Sequence, residues 1–162
     1  QNNQSSDAGN SGGFPYRPDE SKAGVYTNAT GNVVFRSYGS MTYAGLMAMI
    51  YCKLDRNDPR VRSAFDWSVN HWNLEENPGM GPQGLYYYLH LLTKGLTAAQ
   101  VHELETKEGK RVNWRRDVAL RLMNLQQKDG SWSNDNARWW EKETALTTSY
   151  SLIALEMIWR GL

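Results

Sequence analysis

Residues 122–134 read LMNLQQKDGSWSN. The opening residues close an amphipathic run whose apolar stripe is Trp114, Val118, Leu122 and Leu125, the spacing of one helix face. Gln126 brings an amide that both donates and accepts, suited to backbone groups left open at a helix end. Asp129-Gly130 is a turn pair, the glycine being free to take positive φ. Trp132 follows as a large apolar anchor with one N–H donor. The stretch therefore predicts a helix stop, a tight turn and a clamp. Trp132 is expected to lie back over the glutamine and lock one helical hairpin to the next.

Working outward, the C-terminal side is ETALTTSYSLIALEMIWRG (143–161), a run apolar almost throughout apart from small hydroxyls near its start. On the N-terminal side, VNWRRDVALRLMNLQQ (112–127) is one-sided, KEGKR (107–111) reads as a turn, and QGLYYYLHLLTKGL (83–96) is apolar on most sides. TAAQ (97–100) has the Thr-x-x-Gln form of a capping box and predicts a short connecting helix. DPRVRSAFDWSVNHW (58–72) predicts a helix capped by Asp58 with Pro59 at its first position and Val61, Phe65, Val69 and Trp72 on one face. SMTYAGLMAMIYCK (40–53) predicts a helix buried on nearly every side. Residues 1–37 are rich in Gly, Asn, Ser and Pro and read as loop, with a short β-hairpin at 25–35.

Wholly apolar helices thus alternate with one-sided ones, the pattern of an inner layer wrapped by an outer layer. Internal repetition agrees: TYAGLMAMIY (42–51) aligns with SYSLIALEMIW (149–159), and YYLHLLTKGL (87–96) is a looser third copy. Gly-rich turns precede them at 12–16, 77–81 and 129–132. The expectation is an all-α fold over one domain, 1–162, loop-rich to residue 37 and built of helical-hairpin repeats from 38 on.

Composition bounds the function. The net charge is +1 with no long basic run, which gives no footing for nucleic acid. Seven Trp and nine Tyr against three Phe favour buried seams and ligand cavities. Cys52 is the single cysteine, so neither a disulfide framework nor a Cys-cluster metal site is expected; placed in an apolar run, it reads as core. HELET (102–106) begins like a zinc-protease motif, but Thr106 stands where the second histidine belongs. No metal and no cofactor are expected. No run approaches the roughly 20 apolar residues that span a membrane, and the first residues lack a signal peptide's basic and apolar regions. The compartment stays open.

Gln126-x3-Gly130-x-Trp132 resembles the QW motif of the terpenoid cyclases, including the squalene–hopene cyclases, and more loosely the protein prenyltransferases. GGFPYRPDES, RSYGSMTYAGL, NPGMGPQGLYYYLH and RWWEKETALTTSYSLIALE are similar to segments of bacterial squalene-cyclase-like repeat proteins. The resemblance implies an α/α toroid of concentric helical hairpins, of which this chain would supply about half. It also implies an isoprenoid or other apolar ligand in a central aromatic cavity, lined here by Tyr43, Tyr87, His90, Thr148 and Tyr150, with Thr42 and Ser149 in the same wall. Aromatic faces there would stabilise carbocations. The Asp-x-Asp-Asp-Thr-Ala acid of those cyclases corresponds to WEKETA (140–145), where Glu143 alone keeps an acidic position. A lone carboxylate beside Lys142 stays ionised, so Glu143 reads better as a residue favoured by a helix N-terminus.

Two functions follow: a domain that binds and transforms an isoprenoid, with Glu143 and His90 as weak catalytic candidates, or a non-catalytic binding or scaffold module without the acid. A carbohydrate-active barrel is a third, but nothing pairs Glu143 with Asp19 as its two carboxylates. Arg17 is expected to fasten its loop by pairing with Asp19 or Glu20. Trp139 and Trp140 have three readings: packing between repeats, which is the default, anchoring a ligand, or peripheral contact with a membrane interface. Half a toroid would expose an apolar face, so self-association or contact with further repeats is expected.

Overall fold

The computed structural model describes residues 3–107 and 109–162. A β-hairpin opens it: β1 (Val25–Thr27) pairs antiparallel with β2 (Val33–Phe35), Val25 opposite Phe35. Then come α1 (Gly39–Tyr51) and α2 (Pro59–Asn70). Asp58 accepts from the Arg60 N–H and Pro59 takes the first helical position, as the sequence predicts. After α3 (Leu85–Ala98) a second hairpin pairs β3 (Leu104–Glu105) with β4 (Arg111–Val112), and α4 (Trp114–Leu125) and α5 (Thr144–Arg160) complete the order.

The all-α toroid is not what the chain forms. Among the described residues five helices are combined with two small antiparallel sheets, which makes the fold mixed. The helices form a row, α1 against α3 and α3 against α5, with α2 on α1 and α4 on α5 and α3. One of the sheets stands where a connecting helix was expected. Thr97 is not a helix start: it sits in the last turn of α3, whose C-cap is Ala99. Gln100 takes a positive φ of 50°, and Val101 N–H closes the end on Leu96 O. The chain leaves extended and closes β3 on β4 instead. The Thr-x-x-Gln pattern misleads because four apolar residues upstream already hold that stretch in helix.

α3 is the centre. Leu89, Leu92 and Leu96 are fully buried, and its one threonine in that run, Thr93, bonds back to Leu89 O at 2.9 Å. Gly95 lets Tyr43 of α1 approach, since a Cβ there would lie 3.2 Å from the ring. α1 and α5 are less enclosed than their apolar sequences predict. α1 leaves Tyr51 exposed, and Cys52, expected in the core, is exposed at the helix end. No helix among the described residues is long and apolar enough to cross a membrane.

The clamp at 126–132 forms. Gly130 has φ +87°, its N–H closing a turn on Gln127 O, and the Gln126 amide donates to Gly130 O at 2.9 Å. The Trp132 indole N–H donates to Leu122 O at 2.8 Å, while its own backbone meets α5: Trp132 N–H donates to the Thr148 hydroxyl at 3.2 Å and Trp132 O accepts from Thr147. One tryptophan therefore ties α4 to α5.

Candidate functional site

The N-terminal ends of α1 and α3 lie together. Gly39 N–H donates to Pro78 O at 2.9 Å and Ser40 N–H to the Asn77 carboxamide at 3.1 Å, so the loop before α3 holds the start of α1. In the same way the loop before α5 holds the start of α3. There Glu141, with no exposed surface, accepts the Tyr87 N–H at 2.8 Å and the Asn134 amide at 2.7 Å. Burial lifts the Glu141 carboxyl above its ordinary range, and those donors pull the other way.

Between these loops opens a cleft of about 500 Å³. Tyr16, Tyr38, Tyr87, Trp139 and Tyr150 supply its aromatic walls, Met41 and Met80 add apolar surface, and Lys22, Ser40 and Asn77 add polar groups. Six segments contribute, from the first loop to α5. The rings of Tyr87 and Tyr150 lie 5.6 Å apart and tilted, a favourable aromatic pairing. Burial raises both phenols, so they are neutral hydroxyls at ordinary pH. Lys22 pairs with Glu20 and lies 5.0 Å from the centre of the Tyr16 ring. Arg17 pairs with both acidic neighbours, closely with Glu20 and more loosely with Asp19 at 3.7 Å.

The turn carrying Trp139 is strained. Trp139 and Trp140 have φ of 65° and 63°, a region that bulky side chains rarely adopt. Each costs on the order of 1–3 kcal/mol. Three contacts hold the turn: Asn134 N–H to Glu141 O at 2.8 Å, Glu143 N–H to Trp140 O at 2.9 Å, and Arg138 lying 4.9 Å over the Trp139 ring. The result aims Trp139 at the cleft and leaves Trp140 exposed.

The residues singled out from sequence separate in space. Tyr87 and Tyr150 line the cleft. His90 stands behind them, stacked on Tyr150 with ring centres 5.2 Å apart, and is 8% exposed. Burial, helped by Lys94, lowers it to about 4, so the imidazole is neutral. Tyr43 is buried against Tyr88 and does not line the cleft. Thr148 serves Trp132, and Ser149 is exposed and bonds back to Ala145 O. Thr42 accepts the Phe14 N–H as Thr148 accepts the Trp132 N–H, so the two copies match one residue out of the register expected from sequence. Glu143 is the exposed N-cap residue of α5, with no capping bond from its side chain.

Sequence reasoning missed Glu141, Tyr38, Met41, Met80 and Lys22. Glu141 has no signal in the sequence: a carboxylate after two tryptophans and before a helix carries no pattern of its own. Among the described residues, no three His, Cys, Asp or Glu side chains gather at metal-binding distance. No family profile, no curated protein and no solved structure matches this chain.

Proposed function

We propose that the cleft binds an elongated, largely apolar small molecule, an isoprenoid chain being the preferred class, and that this part of the protein binds it without transforming it. The observation that carries the reading is the convergence of Tyr16, Tyr38, Tyr87, Trp139 and Tyr150, from five separate segments, on one cleft of about 500 Å³. Such a size and such a lining, with a few polar groups at fixed positions, suit a small-molecule site. The strained turn at Trp139 supports it further, because strain of this kind persists where surrounding structure is arranged to hold a side chain in place.

The binding branch is preferred over the catalytic one because of how the carboxylates are used. Protonating an alkene needs an acid that is neutral, strong and aimed at the substrate. Glu141 is occupied by the N–H groups at the start of α3, and Glu143 is exposed at the start of α5. Titration of the protein with farnesol, followed by tryptophan fluorescence, tests the reading. Saturable quenching is expected, weakened at least tenfold by Trp139→Ala and by Tyr87→Ala. Absence of saturation, or equal affinity in both variants, would overturn it. Product formation from squalene would overturn the non-catalytic part alone.

A further inference from the structure

The nine tyrosines divide by what their hydroxyls meet. Tyr88 O–H donates to Asn73 O at 2.8 Å, Tyr86 O–H to Ser133 O at 3.2 Å, and Tyr26 O–H to the Asp7 carboxylate. Tyr51 is exposed at the end of α1. Tyr43 has no hydroxyl partner, but it is sealed in the core and does not reach the cleft. The remaining four, Tyr16, Tyr38, Tyr87 and Tyr150, all line the cleft, and none of their hydroxyls has a hydrogen-bond partner among the described residues. Tyr87 and Tyr88 are neighbours on one helix, so the contrast is one of direction and not of local sequence.

The four sit at different depths. Tyr38 is 4% exposed and Ser40, two residues on, 3%, so these two form the floor; Tyr16 at 49% and Trp139 at 42% form the rim, with Tyr87 and Tyr150 half-buried between. A phenol as enclosed as Tyr38 ordinarily spends its proton on a protein acceptor, because a buried donor left unmet is costly. Burial pushes the Tyr38 phenol up, so it keeps that proton and can only donate it as a neutral group. The Ser40 hydroxyl accepts from the Asn77 amide at 3.3 Å and keeps its own proton to give.

The other polar groups of the cleft are occupied. The Asn77 carboxamide accepts the Ser40 N–H and donates to the Ser40 hydroxyl and to Gln83 O. Lys22, the one charged side chain among the described lining residues, pairs with Glu20. What the cleft offers a ligand is therefore a set of neutral O–H donors between aromatic walls. A charged end group would lose its hydration there against no unpaired counter-charge, and a plain hydrocarbon would leave the enclosed donors unmet. We infer that the ligand ends in an uncharged oxygen acceptor, a hydroxyl or carbonyl group, which enters first and seats on Tyr38 and Ser40 while the apolar chain leads out between Tyr16 and Trp139; this rests on the ligand reading above and gives it a head group and a direction.

The test compares three probes that share one chain and differ at its end: farnesol, the hydrocarbon farnesene and the anion farnesoate, each titrated at neutral pH and followed by tryptophan fluorescence. Wild type is expected to bind farnesol about tenfold more tightly than farnesene, and farnesoate more weakly than farnesol. Tyr38→Phe and Tyr87→Phe keep the rings and remove hydroxyls that bond to no described residue, with thermal melting as the check on folding. Tyr38→Phe is expected to narrow the gap between farnesol and farnesene to less than twofold, and Tyr87→Phe to narrow it in part; if Tyr38→Phe melts early, Tyr87→Phe carries the comparison. Equal wild-type affinity for farnesol and farnesene, tighter binding of farnesoate than of farnesol, or a gap that survives both phenylalanine changes would overturn the inference and leave the ligand reading standing. Saturation by none of the three probes would remove that reading and the inference together.

Discussion

The indole N–H of Trp132 donates to the carbonyl of Leu122 at 2.8 Å, in the last turn of α4, while the backbone N–H of the same residue donates to Thr148 of α5. A single residue thereby satisfies an open helix carbonyl and joins two helices. Its ring is 1% exposed, so the bond is made in a dry place.

Trp132→Phe keeps an aromatic ring and deletes the donor. The Leu122 carbonyl is left unpaired, and a smaller ring leaves a void. The expected loss is about 2–3 kcal/mol, read as a shift of the urea midpoint with unchanged slope. A variant as stable as wild type would mean that the clamp is ornamental.

Glu141→Ala removes the acceptor at the start of α3 and is expected to cost about 2 kcal/mol. Glu141→Gln isolates the charge. Because burial raises this carboxyl above its ordinary 4.5, the native state keeps the proton to higher pH than the unfolded state does. The protonated native form is thus the favoured one, and the group's contribution to stability falls as pH rises from about 4.5 through the native value. Denaturant curves across that range are expected to show this fall in wild type and not in Glu141→Gln.

His90 acts with the opposite sign. Its native value of about 4 lies below the ordinary 6.5, so the unfolded chain takes up a proton first as pH drops. Its contribution is complete above pH 6.5 and is lost as pH falls toward 4, on the order of 2–3 kcal/mol. His90→Phe, which keeps the stack on Tyr150, is expected to flatten that part of the pH–stability profile. An unchanged profile would place the imidazole in contact with water.

Gly39→Ala tests the close meeting of α1 with the loop before α3. A Cβ there would lie 2.7 Å from Pro78 Cδ and from the Tyr88 ring, and 2.9 Å from the Asn77 carboxamide oxygen. All three neighbours are held in place, Pro78 Cδ by its ring and Tyr88 and Asn77 by full burial, so the strain is expected to cost about 1–3 kcal/mol. Because Asn77 also lines the cleft, ligand affinity is expected to fall alongside stability, measured on the same farnesol titration.

What the sequence by itself determined was local. The Asp58-Pro59 start of α2, the stripe of α4, the 25–35 hairpin and the turn at Gly130 each rest on residues a few positions apart, where spacing and backbone preference decide the outcome. Tyr87 and Tyr150, singled out from sequence, line the cleft because they stand in the first turns of the apolar helices α3 and α5. The tertiary structure alone decided the rest. Whether Thr97 continues a helix or begins one depends on the pull of the packed turns before it. Whether α5 is enclosed depends on what lies beyond it, which its own apolar sequence cannot state. And Glu141 became a cap while Glu143 stayed in water because the strained pair Trp139–Trp140 turns the chain, and that turn, not the spacing of the two carboxylates, selects which one meets the start of α3.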